Sequence, residues 1–398
     1  MVGAQLGSRD RFPALSAIAY CNHAAISPPS RPVSAAARAV LTDYEQRGLG
    51  AFFSWMEQRE RFRGALARFI DADAPDEIGF CANTTSAIRT VALCRPWKSG
   101  DRVILLRGEF PANVTPWLRA AELFNLEPVW LDASDFSAAA GGRGMAQLEE
   151  VLKQGAALLA VSAVQFSTGL TMPLAEMAAA CHRHGAEICV DAIQACGATA
   201  MSVRDLDIDY LAAGSHKWLM GLEGAAFVWM RRRCGQVLRP HLAGWLSHED
   251  PVRFLLEGAG HLRYDRPIRK QPDFVEGGAT NAVGFAAWEA SVALLAELGP
   301  TAIAAHIQAY HDALEPLLVD RGFVSLREPT PSGRSGILSL TAPEGVDVMA
   351  LSVALMERGV SCSAPDGNLR FAPHWPNALG EVHAIASAVD DAVTSLRA

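Results

Sequence analysis

Short apolar runs alternate with amphipathic stretches through the middle of the chain. The apolar runs predict strands at 102–107, 126–131, 157–162, 186–191, 209–214 and 224–230. A helical spacing of apolar positions predicts helices between them at 111–124, 145–153 and 173–184, the last with Pro173 in its first turn. Buried strands that alternate with helices are typical of a mostly parallel sheet covered on both faces.

The flanking regions have other patterns. Before the alternating block, helices are predicted at 32–47 and 54–70. After the block, a stretch rich in Pro, Arg and Gly at 239–280 precedes two predicted helices at 282–298 and 300–321. The last 65 or so residues predict strand–helix–strand–strand–helix, with strands at 336–340 and 369–371. We expect a large α/β domain at 20–265 and a smaller α/β domain at 280–398, on which residues 1–19 pack.

Composition narrows the classes of protein. The 398 residues are 50% hydrophobic and 20% charged, which excludes a largely disordered chain. The net charge of −8 argues against a nucleic-acid partner, because binding phosphates needs a basic face. No apolar run reaches the roughly 18 residues of a membrane span, so we expect no membrane partner.

The N-terminus and the cysteines indicate a compartment. Arg9, Asp10 and Arg11 stand where a secretory signal would need its apolar run. The eight cysteines include no CxxC pair, which argues against a metal site or a thioredoxin-like motif. We therefore expect reduced, buried thiols, no metal and a cytoplasmic location.

The few lysines draw attention to one of them. The chain has 31 arginines and only four lysines, and Lys217 lies among small, aromatic and apolar neighbours directly after a predicted strand. Loss of solvation lowers a lysine pKa and exposes a nucleophilic amine, as a Schiff base requires. An ordinary lysine at a sheet edge, or one paired with Glu223, would fit the local sequence equally well.

Two polar residues could share a site with that lysine. Asp191 ends a predicted strand 26 residues before Lys217, and the carboxyl ends of strands are where α/β sheets bind ligands. A buried carboxylate there would keep a pyridine nitrogen protonated, and the Gln194 amide could donate to a ring hydroxyl group. The alternatives are a helix cap for Asp191 and an ordinary surface position for Gln194.

A predicted helix after residue 81 begins with the residues of an anion site. Asn83, Thr84 and Thr85 would offer hydroxyl groups and free backbone N–H groups at its first turn. Ser215 and His216 could add donors to the same phosphate. Simple capping of the helix by Asn83 is the alternative.

Segments spread over nearly the whole chain resemble one family. The runs at 190–198 and 214–221, with weaker matches at 20–25, 83–88, 109–113, 164–169, 276–281 and 369–375, are similar to the pyridoxal-phosphate-dependent class V aminotransferases. That family includes cysteine desulfurases, kynureninases and isopenicillin N epimerases. The resemblance implies fold type I with a seven-stranded sheet, a pyridoxal 5'-phosphate cofactor, a small amino-acid substrate and a homodimer.

The resemblance also implies residue roles. Lys217 would form the internal aldimine and carry the α-proton, Asp191 would pair with the pyridine nitrogen, and Gln194 would contact the ring hydroxyl group. Further roles are phosphate contacts for Thr84, Thr85, Ser215 and His216, ring stacking for Phe110, a carboxylate clamp for Arg370, substrate binding for Asn22, and a phosphate contact in the partner subunit for Thr280. The alternative for Phe110 is a position in the core, and the alternative for Arg370 is an ordinary surface role.

Three departures from the desulfurase pattern bear on the reaction. Cys362 lies only eight residues before Arg370, in a tight connection rather than on a long loop. Ala279 replaces the family threonine, so that only Thr280 could reach a partner's phosphate, and Phe166 stands where desulfurases have a substrate-site asparagine. These departures argue against a cysteine desulfurase.

The sequence leaves the reaction open. Our first choice is transamination at the α-carbon; C–S or C–C lysis is the second alternative and epimerisation the third. Candidate substrate contacts are His241, Trp245 and the loop 245–275. A nucleotide-binding protein is disfavoured because the chain lacks both the GxGxxG and the P-loop signatures. A non-catalytic member of the fold is disfavoured by the intact Lys217.

Overall fold

The computed structural model describes residues 3–397. Its strands are β1 (Ala19–Tyr20), β2 (Ile78–Cys81), β3 (Arg102–Arg107), β4 (Glu127–Asp132), β5 (Leu158–Ser162), β6 (Glu187–Asp191), β7 (Tyr210–Gly214), β8 (Ala226–Met230), β9 (Val324–Ser325), β10 (Leu338–Thr341), β11 (Val360–Ser361) and β12 (Leu369–Phe371). Its helices are α1 (Arg31–Arg47), α2 (Phe52–Phe69), α3 (Thr84–Cys94), α4 (Thr115–Phe124), α5 (Arg143–Lys153), α6 (Leu174–Arg183), α7 (Arg232–Gly235), α8 (Arg253–Leu256), α9 (Ala282–Leu298), α10 (Pro300–Val319), α11 (Val348–Glu357) and α12 (Glu381–Arg397).

The central sheet has seven strands in the order β2-β8-β7-β6-β5-β3-β4. The five strands from β7 to β4 are parallel, whereas β8 runs antiparallel to both β7 and β2. The expected fold class, a mostly parallel sheet flanked by helices, is confirmed. The strand that the pattern did not predict is β2, whose four residues are too few to show a period.

The predicted helix at 111–124 begins later than expected. A short 3-10 turn occupies Pro111–Asn113, Val114 leaves helical geometry at φ −123°, and α4 begins at Thr115. Pro116 explains this start, because proline lacks an N–H donor and fits the first turn of a helix but not its interior.

The C-terminal strands form separate small sheets. One sheet has the order β12-β10-β9, and β11 pairs in parallel with β1 from the N-terminal segment. Asn22 continues this pairing through a bridge to Ala372. The N-terminal segment therefore contacts the C-terminal strands directly, and its strand and theirs bury a common core.

The helical pair α9 and α10 is the most apolar helical region. Among the described residues no single helix meets the length and hydropathy of a membrane span, and only α9 and α10 together do so, across a 78° bend. The bend lies at Gly299, whose φ of 82° suits glycine. Nine residues of α9 are buried in this structure.

The parallel strands converge on one edge of the central sheet. β3, β5, β6 and β7 end at Arg107, Ser162, Asp191 and Gly214. Because the carboxyl ends of parallel strands lie at the same edge, the residues that follow them meet there.

Candidate active site

Lys217 lies three residues beyond the end of β7, in a segment without regular secondary structure. Its side chain is partly buried, and its Nζ atom is 5.6 Å from the centroid of the Phe110 ring. Burial lowers the Lys217 pKa to about 8; Asp191 opposes this shift and Arg370 adds to it. About a tenth of the amine is therefore uncharged and nucleophilic at pH 7, far more than for an ordinary lysine.

Asp191 is the buried carboxylate of the site. Its side chain is 2% exposed, and one carboxylate oxygen accepts a 2.9 Å hydrogen bond from the Ile193 N–H. The Asp191 pKa is raised to about 7, chiefly by burial and also by the negative charge of Glu109, against the opposing effects of the Ile193 N–H and Lys217. Such a carboxylate is suited to hold a cationic ring nitrogen.

Gln194 is buried, so the surface alternative is wrong. Its Oε1 atom accepts a 2.8 Å hydrogen bond from the Trp218 indole, and its Nε2 atom donates to the Ala24 carbonyl at 3.1 Å. These two contacts fix the orientation of the amide and leave its second N–H available to a ligand.

The first turn of α3 faces the end of β7. The Oγ1 atom of buried Thr84 has no hydrogen-bond partner, and a Cβ added to Gly214 would lie 3.0 Å from it and 3.2 Å from Nδ1 of His216. Thr84 and His216 thus surround a position that only glycine leaves open. The backbone N–H groups of Thr84 and exposed Thr85 lie in the first turn, where no intrahelical acceptor exists. This arrangement suits a phosphate group.

Two residues near this cradle have additional contacts. Asn83 does cap α3, as the alternative for this helix proposed, since its side chain accepts from the Ser86 N–H at 2.8 Å. Ser215 is fully buried and its hydroxyl group donates to the Leu222 carbonyl. Ser215 therefore has no hydroxyl proton to offer a phosphate, whereas Thr84 retains one.

Phe110 is 46% exposed, so the alternative of a core residue is wrong. Its ring packs edge-on against Phe166 with the centroids 5.3 Å apart. An exposed aromatic face beside the Lys217 amine suits stacking on a planar ring.

Arg370 is buried without an acidic partner. It is 5% exposed, its Nη1 atom donates to the Phe166 carbonyl at 2.6 Å, and its Nε atom donates to the Ser363 hydroxyl group at 3.1 Å. Within residues 3–397 no carboxylate pairs with this guanidinium group. Burial lowers the Arg370 pKa to about 10. A buried cation without a counterion is poised to bind an anion.

The two remaining predicted site residues, Asn22 and Thr280, lie at the edge of the site. Asn22 has a buried Oδ1 atom without a partner and bridges to Ala372, two residues beyond Arg370. Thr280 is exposed, next to Asn281, which caps α9 and donates to the Gly224 carbonyl. Asn22 is thus near Arg370, and Thr280 is available to another molecule.

Sequence reasoning assigned no role to Glu109, which lies near Asp191, and its suggestion of His241 as a substrate contact stays a prediction. Glu109 accepts hydrogen bonds from the Ser162 N–H at 2.7 Å and from Gln165 at 3.1 Å, and Ser162 pairs with Asp191 across β5 and β6. The position of Glu109 directly after β3 was the available signal. His241 stacks on Phe124, and the Arg239 N–H binds the last residue of α3, roughly 15 Å from the first turn of that helix.

The chain belongs to the class V aminotransferases, whose family model matches residues 19–370. A probable cysteine desulfurase of Pyrococcus abyssi is 26% identical over 98% of both chains. An uncharacterized aminotransferase of Bacillus subtilis, YcbU, is 24% identical over 95% of both chains. The solved apo cysteine desulfurase of Thermococcus onnurineus NA1 matches with a TM-score of 0.86 at 22% identity, covering 99% of this chain and 100% of that one.

The protein is therefore a pyridoxal-phosphate-dependent class V enzyme of fold type I. The site fits the cofactor, because the unpartnered Thr84 hydroxyl group and the open space at Gly214 form an anion cradle. Buried Asp191 and the uncommitted N–H of Gln194 complete a polar frame for a pyridine ring. The family and the cofactor named from the sequence are both confirmed.

Proposed function

We propose that the enzyme acts at the α-carbon of an amino acid through Lys217, and that its reaction is transamination. One observation carries the proposal: Arg370 is a buried guanidinium group that has no carboxylate partner among residues 3–397, and its charge lowers the pKa of Lys217, so the two lie in one site. A cation for a carboxylate beside a nucleophilic amine matches the two functional groups of an α-amino acid.

The residues divide the work. Pyridoxal phosphate, when bound, supplies an aldehyde that condenses with amines and a ring that accepts electrons from a bond broken at the α-carbon. Arg370 binds the substrate carboxylate and selects which bond faces the ring. Asp191 holds the ring nitrogen, Gln194 contacts the ring hydroxyl group, and Phe110 packs on the ring face. Lys217 carries the proton.

Transamination requires one base that moves a proton between two nearby atoms, and Lys217 can serve as that base. Epimerisation needs a proton donor on the opposite ring face, where the proposal places the hydrocarbon ring of Phe110. Desulfuration needs a thiolate to take up sulfur. Cys362 is 2% exposed, and burial raises its thiol pKa to about 12. The remaining thiols of the described residues are buried, except partly exposed Cys81.

The test uses the holoenzyme with a panel of α-amino acids and a keto-acid acceptor. We expect one keto acid and one new amino acid in equal amounts, without ammonia or sulfide. Lys217→Ala should lower turnover by about 10³-fold or more, while Lys153→Ala, at the exposed end of α5, should not change it. Release of ammonia would indicate a lyase, sulfide transfer from cysteine a desulfurase, and loss of optical rotation an epimerase; each contradicts transamination.

We also propose a homodimer in the cytoplasm, with a cofactor domain at 20–265 and a second domain at 280–398. Thr280 is exposed, and its neighbour Asn281 donates to the Gly224 carbonyl; this supports a contact of Thr280 with a partner subunit. The eight free thiols support a reducing compartment.

A further inference from the structure

The backbone that carries Lys217 is held from outside. Residues 216–219 lie in no helix or strand, yet each of their four carbonyl oxygens accepts a hydrogen bond from a distant part of the chain. The bonds run from Ser27 N–H to the His216 oxygen at 2.8 Å, from the Ser27 hydroxyl group to the Lys217 oxygen at 2.6 Å, from His374 Nε2 to the Trp218 oxygen at 2.9 Å, and from the Ser291 hydroxyl group to the Leu219 oxygen at 2.8 Å.

The hydrogen bond on the Lys217 carbonyl determines the state of a second residue. The single hydroxyl proton of Ser27 is given to the Lys217 oxygen, so Oγ accepts in its contact with Nδ1 of His23, 2.7 Å away. His23 must then carry its proton on Nδ1. Its Nε2 atom is an acceptor, buried and without a partner, in a ring that is 1% exposed.

Burial keeps this arrangement in one protonation state. Desolvation lowers the His23 pKa well below its usual value, and His374, whose ring lies 5.3 Å away, lowers it further. His374 is likewise neutral, because its Nδ1 accepts from the Trp375 N–H at 2.7 Å while Nε2 donates to the Trp218 carbonyl. The two imidazoles thus have fixed roles: His23 donates to the Ser27 oxygen, and His374 donates to the Trp218 carbonyl.

We propose that His23 is a positioning residue for Lys217, acting through the Ser27 hydroxyl group. The inference rests on the proposed role of Lys217. The segment contributes one turn of its own, in which the Met220 N–H donates to the Lys217 oxygen at 2.9 Å. The contacts from Ser27, His374 and Ser291 hold this turn against the rest of the chain and so set the direction of the Lys217 side chain. A reactive amine displaced by about 1 Å loses on the order of 100-fold in rate, so an anchor one residue removed from the chemistry affects the reaction.

The experiment measures covalent capture of pyridoxal phosphate by the apoprotein, with borohydride to fix the product and peptide mapping to count it at Lys217. The variants are Ser27→Ala, His23→Leu, His23→Asn and the double variant Ser27→Ala/His23→Leu. Thr171→Val is the matched control, since it removes a 3.0 Å hydroxyl-to-carbonyl hydrogen bond to Arg334 elsewhere. The melting temperature of each variant shows that it is folded.

We expect Ser27→Ala and His23→Leu each to slow capture about tenfold. The double variant should be no slower than Ser27→Ala, because His23 acts only through Ser27. His23→Asn keeps an N–H donor near the Nδ1 position and should restore most of the rate, and Thr171→Val should capture at the wild-type rate.

Four results would overturn the inference: wild-type capture in Ser27→Ala, additive losses in the double variant, no rescue by His23→Asn in a folded protein, or equal slowing in Thr171→Val. If wild-type protein captures the probe elsewhere than at Lys217, both the inference and the proposed function fail. Capture at Lys217 that is insensitive to Ser27 refutes only the inference.

Discussion

Two short segments bring the reacting groups together, one held mainly by side chains and the other mainly by strand pairing. The Lys217 segment, residues 215–221, has two short-range backbone hydrogen bonds, to the Ser215 and Lys217 oxygens, and is otherwise held by side chains from three other parts of the chain. The Arg370 hairpin, residues 360–371, is held by backbone pairing: Ser363 and Arg370 exchange two backbone hydrogen bonds, at 3.2 and 2.7 Å, and its strands pair with β1 and β10. We therefore expect the first segment to respond to single distant substitutions, and the second to be less sensitive to them because its contacts are mainly between backbone atoms.

The electrostatic settings of the two segments also differ. Lys217 has a carboxylate, Asp191, that partly offsets the loss of solvation, but the Arg370 guanidinium group has only a hydroxyl group and a carbonyl. A substrate carboxylate would supply the counterion that Arg370 lacks among the described residues, whereas Lys217 already has a counterion, Asp191, within the protein. This contrast predicts that substitutions in the hairpin act mainly on substrate binding.

The largest effect is expected from Arg370→Ala. Removing the cation that faces the substrate carboxylate should raise KM for an amino acid by about 100-fold, with a much smaller change in KM for an amine that lacks the carboxylate. Arg370→Lys should not restore binding, because an ammonium group cannot form the two-point contact. Steady-state kinetics with an amino acid and its decarboxylated amine provide the measurement.

Arg358→Ala is the control for that comparison, since Arg358 donates to the Ala354 carbonyl at the end of α11. It should leave both KM values within about twofold of wild type. An equal rise in KM for the amino acid and the amine in Arg370→Ala would contradict the carboxylate contact.

An intermediate effect is expected at Lys217 from Asp191→Asn. The Asp191 charge favours the protonated amine, so its removal lowers the Lys217 pKa below about 8. The rate at which the apoprotein is methylated at Lys217 by formaldehyde and borohydride should rise with pH through this pKa. Its midpoint should therefore move to lower pH in the variant.

Mass spectrometry of the Lys217 peptide over a pH series measures that midpoint, and Asp205→Asn on the protein surface is the control. An unchanged or raised midpoint in Asp191→Asn would show that the two side chains do not interact as the structure indicates.

The smallest effect is expected from Cys362→Ala. A buried thiol with a pKa of about 12 is protonated at neutral pH and takes no part in transamination. Activity should stay within about twofold, and the free energy of unfolding should fall by roughly 1 kcal/mol. Urea unfolding and the amino-acid assay measure these two quantities. A loss of activity by tenfold or more would return the sulfur-transfer reaction to consideration.

Much of the fold could be predicted because the responsible signals are local. The strands β3, β5 and β6 are apolar runs bounded by turns, and their side chains are almost entirely buried. β2 and the start of α4 were missed because one is four residues long and the other depends on proline. Short elements take their conformation from pairing partners, which a local pattern does not contain.

The residues of the candidate site also fall into two groups, those with a local sequence signal and those without one. Lys217, Asp191 and Arg370 could be found because each stands next to a strand in a motif of unusual composition. Glu109 and His23 could not, since their importance comes from what they contact: Glu109 reaches Asp191 through Ser162, and His23 reaches Lys217 through Ser27.

The sequence by itself determined the family, the cofactor and the order of strands and helices, because these follow from residue types at short spacings. The tertiary structure alone decided that Arg370 is buried without an acidic partner among residues 3–397, and that Ser27 binds the Lys217 backbone. Burial and hydrogen bonding between residues 190 positions apart depend on how the whole chain packs, and no local pattern records them.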